Sequence, residues 1–143
     1  MGEKVAIDTP VFVYYFEKHR KHAAACRRIL GAVERGTYEA VTSSVCVSEV
    51  LVRPFSLDER SLALEYRTWF EHFPNLSVLA PGIDIASLAA ELRAAYSLRT
   101  GDAFLGATAI SAGCRRLFTN DRDLRVLEDR GMSVEVLGAP ARS

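Results

Sequence analysis

Four carboxylates stand out in the sequence for the company they keep: Asp8, Glu49, Asp102 and Asp121. Glu49 lies in Val45-Cys46-Val47-Ser48-Glu49-Val50-Leu51-Val52 and, at helical spacing, shares a face with Val45 and Val52. A charge buried there without a partner costs several kcal/mol, so Glu49 must meet a cation or an Arg, or face a wet cleft. Asp102 precedes an uncharged run, Ala103 to Ala112, and reads either as a helix N-cap or, if Thr100 caps instead, as a free carboxylate. In Thr119-Asn120-Asp121-Arg122-Asp123-Leu124, Asn120 as N-cap answered by Asp123 leaves Asp121 free; Asp121 as the cap is the alternative. Asp8 follows Val5-Ala6-Ile7, and Thr9 supplies a cap for the next helix. Four carboxylates gathered at one rim repel one another unless cations share them, and an all-oxygen set suits Mg²⁺ or Mn²⁺.

Other chemistries find little support. His19 and His22 are three apart and His72 is distant, so neither a histidine metal site nor a Ser-His-Asp triad is suggested. Phosphate loops of the GxxxxGK[ST] or GxGxxG kind are absent. A receiver domain or an aspartyl-phosphate phosphatase also places Asp after a first strand. Those need a late Lys, and no Lys follows Lys21; the phosphatases want Asp-x-Asp, where this chain has Asp8-Thr9-Pro10. Glu59, Glu65, Glu71, Glu91, Glu128 and Asp129 sit among polar helical neighbours and read as solvated faces.

The elements that must position the four acids follow from periodicity and punctuation. Val5 to Ile7 reads as a buried strand, with a helix starting at Thr9-Pro10. A helix through about His22 to Glu34 ends near Gly36, and a strand follows around Glu39 to Thr42. Ser43 or Ser44 caps a helix running from Val45 to Arg53 before Pro54. Asp58 to Phe73 is helical, Leu76 to Leu79 a strand, and Asp84 to Tyr96 a helix capped by Asp84. A small-residue helix, Ala103 to Ala112, precedes a strand at Arg116 to Thr119, a helix from Asn120 to Asp129 and a last strand at Val134 to Leu137. This alternation predicts a parallel sheet covered on both faces, with Asp8 and Asp121 beyond the carboxyl ends of their strands.

The chain has 143 residues and zero formal net charge, enough for one core and no bulk attraction to nucleic acid. We expect one domain over residues 1–138 and a frayed tail at 139–143. Cys26, Cys46 and Cys114 are widely spaced and read as buried free thiols. No signal peptide or membrane span is apparent, so a cytoplasmic protein without membrane contact is expected. Of fifteen Arg, Arg99, Arg115, Arg116 and Arg122 lie close in sequence to the proposed rim. Arg99 and Arg122 are candidate substrate-phosphate ligands.

Together these segments resemble the PIN-domain nucleases, in particular the short VapC-type toxins of toxin–antitoxin pairs. Val5-Ala6-Ile7-Asp8-Thr9 matches the family's opening, Val47-Ser48-Glu49-Val50 its helix-borne Glu, Gly101-Asp102-Ala103 with Ala107-Thr108-Ala109 its third acidic segment, and Leu117-Phe118-Thr119-Asn120-Asp121-Arg122-Asp123-Leu124 its closing signature. Pro10 departs from the pattern, where a small polar residue is usual. The resemblance implies an α/β fold, a three-layer α/β/α sandwich around about five parallel strands. It also implies a Mg²⁺- or Mn²⁺-dependent endoribonuclease that hydrolyses RNA, forms homodimers and is blocked by a cognate antitoxin. Asp8, Glu49, Asp102 and Asp121 would then be both catalytic and metal-binding, Asp123 a secondary ligand, and Thr119 or Asn120 would orient water or phosphate. A catalytically silent PIN-like module that binds RNA or protein is the alternative. Tyr14, Tyr15, Phe16, Phe55, Trp69 and Phe70 offer apolar surface for a partner, or core.

Overall fold

Val5, Ala6 and Ile7 alternate between the two faces of a sheet, and each face has its own core. The computed structural model describes residues 2–139, so the expected frayed tail lies, from residue 140 on, outside the described residues. In chain order the elements are β1 (Glu3–Ile7), α1 (Thr9–Phe16), α2 (Ala23–Glu34), β2 (Tyr38–Ser43), α3 (Ser44–Ser56), α4 (Arg60–His72), β3 (Leu76–Leu79), α5 (Ile83–Tyr96), α6 (Thr100–Ser111), β4 (Arg116–Thr119), a 3₁₀ helix (Arg122–Arg130) and β5 (Ser133–Val136). The five strands form one parallel sheet in the order β3-β2-β1-β4-β5. Helices cover both faces, giving the three-layer sandwich that the alternation predicted.

Val5, Ile7, Ala40 and Phe118 face one layer, packing with Phe12 of α1, Leu30 of α2, Val50 of α3 and Phe70 of α4. Phe16, Trp69 and Phe70 meet edge to face there, so these aromatics serve the core, whereas Phe55 is exposed beneath the Arg60 guanidinium. Ala6, Val41, Leu117 and Val134 face the other layer, against Leu92 of α5, Leu105 of α6 and Leu127 of the 3₁₀ helix. A Cβ on Gly106 would stand 2.9 Å from Leu127 Cδ1 and 3.3 Å from Leu92 Cδ1. Close approach of α6 to its neighbours therefore depends on the small residues read from its sequence. All three cysteines are free and buried, and burial pushes each thiol up to about 11.

Several boundaries differ from expectation for identifiable reasons. Asp8, not Thr9, is the N-cap of α1, because Asp8 is the last extended residue and Thr9 already has its N–H on the Asp8 carboxylate. Helix α3 runs through Pro54 to Ser56; Pro54 falls in the last turn, so only the Val50 carbonyl loses an intrahelical donor. Extended Gly82 precedes α5, which puts Asp84 inside the first turn instead of at the cap. Arg116 belongs to the amino end of β4, away from the rim, where it holds Glu3 at 2.7 Å and Glu135 at 2.9 Å across neighbouring strands. Arg115 shares that end, its N–H bonded to the Lys4 carbonyl.

Candidate active site

Strand order decides where the cleft opens. The chain leaves β1 for β2 and β3 on one side, then returns to place β4 on the other, so the carboxyl ends of β1 and β4 flank a topological switch point. Asp8 leaves β1 there, its N–H still bonded to the Phe118 carbonyl of β4 at 2.9 Å. Its carboxylate is buried: Oδ1 accepts from the Thr9 N–H at 2.8 Å and Oδ2 from the Thr119 hydroxyl at 2.7 Å. The same Thr119 oxygen accepts the Asp121 N–H at 3.0 Å, so one fully buried hydroxyl ties two of the four acids together. Burial raises Asp8 to about 7; the Thr119 and Thr9 hydrogen bonds oppose that rise, and the nearby charges of Asp102 and Glu49 add to it.

Of the alternatives open to Glu49, the wet cleft is the one found. Glu49 is exposed, as is Val52 at 61%, so the face it shares is not a buried one and the cost of burying its charge does not arise. Its Oε1 accepts from the Thr9 hydroxyl at 2.6 Å. Gly101 makes room for it, since a Cβ there would stand 2.9 Å from Glu49 Oε2. Asp102 lies in the first turn of α6, behind an Arg99 cap position, which rules out the N-cap reading for Asp102 and for Thr100 alike. Desolvation raises its carboxyl above the usual range, with Asp121 adding to the rise and Arg99 opposing it. Asp121 does cap the 3₁₀ helix, its Oδ1 accepting the Asp123 N–H at 2.9 Å, so of the two cap readings for this segment Asp121 is the one found. Asp121 keeps its second oxygen for Arg99, whose guanidinium stands 3.1 Å from Asp121 Oδ2 and 3.6 Å from Asp102 Oδ2.

Asp8, Glu49, Asp102 and Asp121 line one cleft of about 380 Å³, together with Thr9, Pro10, Gly101 and Arg99. Asp123 and Arg122 line a neighbouring cavity instead, so Asp123 is not placed as a ligand in the cleft. Thr119 is fully buried and has its hydroxyl engaged by protein, and the Asn120 amide donates to the Tyr14 hydroxyl at 2.8 Å; both act as braces within the protein. Thr9 and Gly101 are the positioning residues that sequence reasoning missed. Their signal was adjacency to Asp8 and Asp102 within the quoted motifs.

Among the described residues, no three His, Cys, Asp or Glu side chains form a ready metal cluster. Thr9, Thr119, Asp123 and Arg99 each engage carboxylate oxygens of the four acids. The donor set itself fits a hard divalent cation, being all oxygen, and Arg99 lying across two of the acids marks the need for positive charge.

The model of the PIN domain family matches residues 5–129. No curated protein matches the sequence significantly. Among solved structures, the chain is similar to a toxin–antitoxin complex from Klebsiella pneumoniae, at 22% identity over 83% of this chain and 88% of that one, with a TM-score of 0.66. It is similar to VapBC2 from Rickettsia felis bound to a DNA fragment from its promoter, at 15% identity over 94% and 98%, TM-score 0.70. It is also similar to VapC20 of Mycobacterium tuberculosis, described as a Sarcin-Ricin loop cleaving toxin, at 13% identity over 85% and 93%, TM-score 0.70. At these identities the structures speak to the fold, and the family match carries the assignment: this chain belongs to the PIN domain family.

Proposed function

We propose that the cleft is the active site of a Mg²⁺- or Mn²⁺-dependent endoribonuclease, the toxin of a type II toxin–antitoxin pair. The observation that carries this reading is the convergence of Asp8, Glu49, Asp102 and Asp121 from four segments on one cleft. These four residues would hold the cation, which when bound lowers the pKa of water and offsets charge on the scissile phosphate. Thr119 holds the Asp8 carboxylate in one orientation, and Thr9 does so for Glu49. Arg99, 83% exposed and already across Asp102 and Asp121, is free to turn its guanidinium to a substrate phosphate. Pro10 lines the cleft without a hydroxyl, so water ordering there falls to the carboxylates and Thr9.

The toxin role and a cognate antitoxin are supported by likeness of fold to the Klebsiella and Rickettsia complexes, whereas a homodimer rests on the family resemblance alone. No helix among the described residues is long and apolar enough to cross a membrane. The reading is tested by incubating purified protein with Mn²⁺ and a panel of structured RNAs. Cleavage leaving 5′-phosphate and 3′-hydroxyl ends, abolished by chelation and by Asp8→Asn, is expected; cleavage indifferent to both rejects it.

A further inference from the structure

Beside the carboxylate cleft lies a second cavity of about 300 Å³ that shares Arg99 and Asp102 with it and is lined further by Arg122, Arg125 and Asp123. Arg122 and Arg125 are three apart on a 3₁₀ helix, where residues at that spacing eclipse, so both side chains come to the same side. Neither takes part in an ion pair among the described residues. The Arg125 Nε is shut off from solvent and meets no acceptor, while the half-buried side chain as a whole lines the cavity. Three guanidinium groups against two carboxylates leave the cavity net positive, next to a cleft that is net negative.

We propose that this cavity is a phosphate subsite, in which Arg122 and Arg125 hold the phosphodiester next to the one being cleaved. The inference rests on the nuclease reading of the adjoining cleft. A strand with one phosphate at the carboxylates passes its neighbour along the wall that the two cavities share. Arg122, on the exposed side, and the half-buried Arg125 guanidinium beside it supply the charge. The subsite offsets the repulsion that RNA meets at the four acids.

The test is the affinity of the otherwise unaltered protein for a fluorescein-labelled octauridylate over a range of salt, in Ca²⁺, an oxygen-seeking cation that fills such a site without the strict octahedral geometry of Mg²⁺. Arg122→Gln and Arg125→Gln should each weaken binding about three- to tenfold and lower the slope of log affinity against log salt by about 0.7, the contribution of one phosphate on a single strand. Arg125→Lys keeps the charge and loses the planar guanidinium fork, so it should retain the slope while losing part of the affinity. Unchanged affinity in the exposed Arg122→Gln variant, or weakening with an unchanged slope in both Gln variants, overturns the subsite alone. A parent protein that binds no octauridylate overturns the nuclease reading and the subsite with it.

Discussion

Asp8 and Glu49 face the same cleft, yet the sheet holds the first in a buried pocket while the second rides an exposed helix. Asp8 is fixed by a main-chain bond to β4 and by both carboxylate oxygens. Glu49 is fixed by one hydroxyl and by the absence of a Cβ at Gly101. The comparison teaches that the β1–β4 side provides a rigid, poorly solvated anchor, and the α3–α6 side an adjustable one. A buried carboxylate is hard to ionise without a cation, whereas an exposed one is merely hard to keep in place.

The largest expected effect is that of Asp8→Asn, which should abolish cleavage and yet stabilise the metal-free fold at pH 8. The folded value, about 7, lies above the ordinary 3.8, so the folded chain keeps a proton between those pH values that the unfolded chain has released. Raising the pH across that window therefore weakens the fold, with no further loss above about 7. The window corresponds to on the order of 4 kcal/mol. Thermal melts in chelator should show the variant's advantage greatest at pH 8 and shrinking toward pH 4; an advantage independent of pH breaks the account of Asp8.

Thr119→Val removes the donor to Asp8 Oδ2 and should cost about 10- to 100-fold in activity. Because that hydrogen bond opposes the rise of Asp8, the acid limb of the pH–rate profile should also move to higher pH. Thr9→Val frees Glu49 on the adjustable side, and a smaller loss, about three- to tenfold, is expected without movement of that limb. Gly101→Ala should be the mildest: the added Cβ displaces a flexible carboxylate, reducing turnover a few-fold while the fold is no less stable by melting. An equal pH shift in Thr9→Val would erase the distinction between the two sides.

Much of this was readable from the sequence, though not always for the right reason. The five strands and the place of Asp8 and Asp121 beyond strand carboxyl ends followed from alternation and punctuation, whereas the switch point between β1 and β4 needed the strand order. Glu49 was identified through a burial argument that fails, because α3 turns that face to the cleft and to solvent. Burial depends on how α3 packs against α1 and α6, which helical spacing alone does not contain. The cap of α1 was assigned to Thr9 in place of Asp8, and that of the 3₁₀ helix stayed open between Asn120 and Asp121, since several adjacent Asp, Asn and Thr residues satisfy the same rule. The Thr119 brace and the Arg122–Arg125 wall required the third dimension, the first because it spans 111 residues and the second because the helix proved to be 3₁₀.

The central claim, that the four carboxylates form a divalent-cation site anchored by Asp8, is tested most directly by calorimetric titration of Mn²⁺ into metal-free protein at pH 8 and pH 6. Saturable binding is predicted, about tenfold weaker at pH 6 because a proton must leave Asp8 first, and lost in Asp8→Asn. Absence of binding to the unaltered protein, or an isotherm that Asp8→Asn leaves unchanged, would contradict it.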